Sequence, residues 1–70
     1  MNRINELEKK ILSHQNLYGN NYDDIEEIIY EYMDAVCQKL GKKDWRYLSE
    51  EDMTKNPLLR TLSDYLFLKN

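Results

Sequence analysis

Apolar residues recur along the first part of the chain at spacings of three and four. Ile4, Leu7, Ile11, His14 and Tyr18 share one face about 80° wide on a helical wheel, and Glu6, Lys9, Lys10, Ser13 and Asn16 fall mainly outside it. The pattern predicts a helix over residues 2–18. Gly19, which tolerates φ > 0, ends it, and Asn20 and Asn21 supply a short turn. A second stripe follows, made of Ile25, Ile28, Ile29, Tyr32, Val36 and Leu40 and widened by Met33 and Cys37. It predicts a helix from residue 22 or 23 to residue 40, with Asn21 or Asp23 as its cap. Asp23, Asp24, Glu26 and Glu27 crowd the end where the helix dipole favours negative charge. Lys39 lies near the opposite end and Gly41 supplies the stop. At 1.5 Å per residue this helix is about 27 Å long.

So short a connection forces the two helices into antiparallel contact. Their facing stripes leave a groove that the last third of the chain must cover. Residues 42–48 read as irregular, anchored by Trp45, Tyr47 and Leu48. Ser49 followed by Asp52 has the form of a capped helix start, which predicts a short turn over residues 50–55. Asn56 as cap and Pro57 at the first position open a last helix, in which Leu58, Leu59, Leu62, Tyr65 and Leu66 share a face. The expected fold is all-α. It is one domain over residues 1–70, a small three-helix bundle with a short extra helical turn before the last helix.

Composition narrows the function. The chain has 70 residues, 41% hydrophobic and 33% charged, enough for one small core with little margin. No apolar run approaches the roughly 18 residues of a membrane span. The first residues alternate charge with apolar groups, unlike a signal peptide, so a cytoplasmic protein is expected. A lone cysteine agrees with a reducing compartment. His14, the single histidine, lies in the first stripe and reads as a hydrogen-bonded imidazole at the core edge. Cys37 reads as a buried, inert thiol. One His and one Cys fall short of a zinc site, and two isolated glycines make no phosphate loop. Neither an enzyme nor a cofactor nor a metal site is expected.

Charge is unevenly spread beneath the net value of −3. No Lys or Arg occurs between Lys10 and Lys39, whereas Asp23, Asp24, Glu26, Glu27, Glu31 and Asp34 all do. Lys39, Lys42, Lys43 and Arg46 follow, opposed by Asp44 alone. Glu27, Glu31 and Asp34 share the outward face of the second helix, with Tyr30 at the rim of its stripe. Phe67 and Leu68 fall off the apolar face of the last helix. These six residues form the candidate partner-binding set. The expected function is a small protein–protein interaction module (a regulator, inhibitor or adaptor), and the partner is another protein or a second copy. The alternative is a helix-turn-helix-like nucleic-acid-binding domain that uses Lys42, Lys43, Trp45 and Arg46, with cations on phosphates and the ring under a base. The acidic total and the short basic stretch weigh against it.

Overall fold

A computed structural model describes residues 2–18 and 22–69. Side chains at 15–18, the Gly19 stop and the turn at Asn20 and Asn21 lie outside the described residues. So do the contribution of Tyr18 to the first stripe and a cap from Asn21. The fold is all-α. Helix α1 spans Arg3–Tyr18, α2 Glu26–Leu40, α3 Glu50–Lys55 and α4 Pro57–Lys69, with 3-10 turns at Tyr22–Ile25 and Trp45–Tyr47. The three long helices make a bundle, and α3 is the short turn that introduces the last of them.

Local chemistry sets most of the boundaries. The Asn2 side chain accepts a hydrogen bond from the backbone N–H of Ile4 (2.9 Å) and starts α1. Gly41 ends α2 at φ 75°, which allows the Lys42 N–H to reach back to the Cys37 carbonyl at 2.9 Å. Ser49 and Asp52 form a reciprocal capping box at the start of α3. Asn56 caps α4, its Oδ1 accepting from the N–H of Leu59 at 3.3 Å. The start of α2 departs from the expected single helix. Its first turn is 3-10, α2 proper begins at Glu26, and its cap residue Ile25 makes no side-chain capping bond. Asp23 does not cap, because its carboxylate is engaged by α4.

The two ends of α2 fix the packing. Ile4 shares a cleft with Val36, Leu40 and Leu59, so the start of α1 and the start of α4 both lie beside the end of α2. Lys69 pairs with Glu26 at the opposite end. Both α1 and α4 therefore run antiparallel to α2, and α4 covers the groove left by the first two helices. Ile11, Ile29, Tyr32, Met33, Cys37, Leu59, Leu62 and Leu66 are fully buried between them. Two expected core residues are not in the core. Leu40 is exposed because it ends α2 at the rim of the cleft. Tyr47 is exposed because a 3-10 turn has about three residues per turn, which aims residues 45 and 48 inward together and sends 47 elsewhere. Trp45 and Leu48 are both buried.

Candidate functional site

The sequence brings Glu27, Tyr30, Glu31 and Asp34 onto one face of α2, since at about 100° per residue these positions lie within a quarter to a third of the helix circumference. All four are exposed. Their electrostatic settings differ. Glu31 pairs with Arg3 of α1 at 3.3 Å, and Asp34 accepts a hydrogen bond from the Gln38 amide at 3.3 Å. Glu27 makes no ion pair among the described residues. The acidic face is thus partly neutralised from α1, which the charge pattern alone did not show.

Beside Tyr30 the surface dips into an open recess of about 350 Å³, bounded by Met33 and Asp34 of α2 and by Asp44, Trp45 and Arg46. The 3-10 turn holds this wall. Asp44 accepts from the Arg46 N–H at 2.7 Å, and the Leu48 N–H donates to the Trp45 carbonyl at 3.3 Å. The Trp45 indole is 8% exposed. The Arg46 guanidinium lies 5.6 Å from its ring centre. The Phe67 ring meets it edge-on at 4.7 Å and 78°.

Phe67 therefore has an intramolecular use that sequence reasoning denied it, although 57% of it remains exposed. Leu68, at 88% exposure, lies apart from Phe67, beside Asp23, Tyr65 and Lys69. Trp45 thus links Phe67 with Tyr30 and Asp34, while Glu27 and Glu31 only share the helix face of those two and Leu68 lies outside the group. Of the alternative residues, Trp45 has no open ring face on which a base could stack. Lys42 lies 3.9 Å from Asp52, and Lys43 is exposed.

Asp23, Glu26, Tyr65 and Lys69 form a polar cluster that sequence reasoning missed. The Tyr65 hydroxyl donates to Asp23 at 2.6 Å, and Lys69 pairs with both Asp23 (3.5 Å) and Glu26. The Tyr65 hydroxyl and then Lys69 hold the Asp23 carboxyl below its ordinary range. The same hydrogen bond raises Tyr65, and Glu26 raises Lys69. The partners lie 42 to 46 positions apart in sequence, beyond any local periodicity. This cluster clasps the start of α2 to the end of α4.

Cys37 is buried, and burial raises its thiol, with Asp44, Asp34 and Asp52 adding to the effect. A raised thiol is a poor nucleophile. His14 is half-buried on α1. Among the described residues no group of three or more His, Cys, Asp or Glu could hold a metal ion, and no helix is long and apolar enough to cross a membrane. No protein-family model, curated protein or solved structure matches the chain.

Proposed function

We propose that this is a cytoplasmic protein-binding module that acts by occluding or bridging a partner, as a regulator, inhibitor or adaptor would, without catalysis. One observation carries the reading. Tyr30 and Phe67 stay exposed, 39% and 57%, beside the buried Trp45, and aromatic and Arg side chains of this kind dominate binding energy at protein interfaces. The acids Glu27, Glu31 and Asp34 border the patch and suit it to a partner with basic groups. Leu68 enlarges the apolar surface elsewhere on α4.

The test is affinity capture with immobilised wild type, Tyr30→Glu, the triple reversal of Glu27, Glu31 and Asp34 to Lys, and a control reversal of Lys9 on α1. A protein retained by the wild type and the control but lost from the other two supports the reading. Equal capture by all four refutes it. Recovery of nucleic acid instead, lost steeply as salt rises, would transfer the function to Lys42, Lys43 and Arg46.

A further inference from the structure

We infer that the partner of the Tyr30 face is a second copy of this chain. The inference rests on the protein-binding reading above and names its partner. A two-fold contact uses the same patch on both molecules, so the patch must be complementary to itself. This one is. On one side of Tyr30 lie Glu27 and Asp34. Across the recess lies Arg46, with Asp44 beside it, and Lys43 precedes Asp44 in the same loop outside the recess lining.

Glu27 and Lys43 are both exposed, and neither makes an ion pair among the described residues. A two-fold axis near Tyr30 carries the acids of each copy to the bases of the other. The same rotation sets each Tyr30 ring at the mouth of the other copy's recess, beside its Arg46. A purely basic partner fits this patch less well, because Arg46 stands beside the acids and would repel it.

Sedimentation equilibrium from about 1 μM to about 1 mM spans the dissociation constants of ordinary small interfaces. The wild type should pass from the mass of one chain to that of two. Tyr30→Glu should raise the dissociation constant at least about tenfold, the effect of losing an interface anchor. Two charge variants complete the test, one with Glu27→Lys and Asp34→Lys, the other with Lys43→Glu and Arg46→Glu. Circular dichroism checks that each is folded. Each alone should be monomeric, and their equimolar mixture should give a dimer that Tyr30→Glu in both chains abolishes.

A wild type that stays monomeric overturns the inference, and so does a dimer indifferent to Tyr30→Glu. A mixture that fails to pair, or pairs without Tyr30, overturns it too. If the wild type is monomeric yet still captures another protein through Tyr30, the second copy is refuted and the protein-binding reading stands. If neither self-association nor capture occurs, both fall.

Discussion

Asn56 joins two functions in one side chain, and its replacement by Ala separates them. Its Oδ1 caps α4 by accepting from Leu59, which leaves Nδ2 to donate to the Tyr32 hydroxyl at 2.8 Å. Tyr32 is fully buried, and burial is the main cause of its raised pKa. Asn56→Ala therefore loses a helix cap, about 1 kcal/mol. It also strands a buried hydroxyl, about 1–3 kcal/mol. The sum is about 2–4 kcal/mol, against a total stability of about 4–10 kcal/mol for a domain this size.

Urea unfolding followed by far-ultraviolet circular dichroism measures the loss, given a two-state transition. Tyr32→Phe supplies the second leg of a double-mutant cycle. In that background Asn56→Ala should cost only the cap, about 1 kcal/mol. With Tyr32 in place, Asn56→Ser should cost only the stranded hydroxyl, about 1–3 kcal/mol, since Ser caps well but is too short to reach Tyr32. An equal cost of Asn56→Ala in both backgrounds would refute the coupling between α4 and the buried Tyr32.

Three further outcomes are expected. Ser63 is buried, and its hydroxyl has no hydrogen-bond partner among the described residues. Ser63→Ala should stabilise the fold by about 1 kcal/mol, read as a higher urea midpoint, because it removes an unpaired polar atom and favours the helix. Acid should destabilise the protein through Asp23 and Asp52, the latter lowered first by the backbone N–H of Ser49 and then by its hydroxyl. Their folded pKa values lie below the unfolded ones, so their contribution is complete above about pH 4 and is lost as pH falls through the folded values. Melting temperatures across that range should drop for the wild type and drop less for Asp23→Asn and Asp52→Asn. The Cys37 thiol should react with a thiol reagent only as fast as the core opens, so its labelling rate should rise with urea.

The helices and their caps were legible because local rules govern them. Ser49 with Asp52, Asn56 with Pro57, and Gly41 each act within a few residues, and each does in the structure what its chemistry predicts. The apolar stripes likewise led to the core. The failures came where distant groups compete for a side chain. Asp23 reads as a cap until Tyr65 and Lys69 claim it. Phe67 reads as surplus until the Trp45 turn meets it. Leu40 and Tyr47 lie at element ends, where periodicity no longer says which way a side chain faces. The candidate site was readable on α2, because one helix face is a local property. The recess beside it was not, because α2 and residues 44–46 build it together.

The clasp on α4 bears on the order in which the molecule assembles. Its ties reach back across long stretches of chain, 24 residues from Asn56 to Tyr32, 42 from Tyr65 to Asp23 and 43 from Lys69 to Glu26. Closing such loops costs entropy before any contact offsets it, whereas α1 and α2 meet across a short connection. The helical pair of α1 and α2 should then form in the folding transition state, with α4 docking afterwards. Substitutions at Tyr65 or Lys69 should accelerate unfolding while leaving the folding rate nearly unchanged, and substitutions at Ile11 or Ile29 should slow folding itself. On this account the last helix is the latch of the fold, and the lifetime of the native state is set by how long that latch holds.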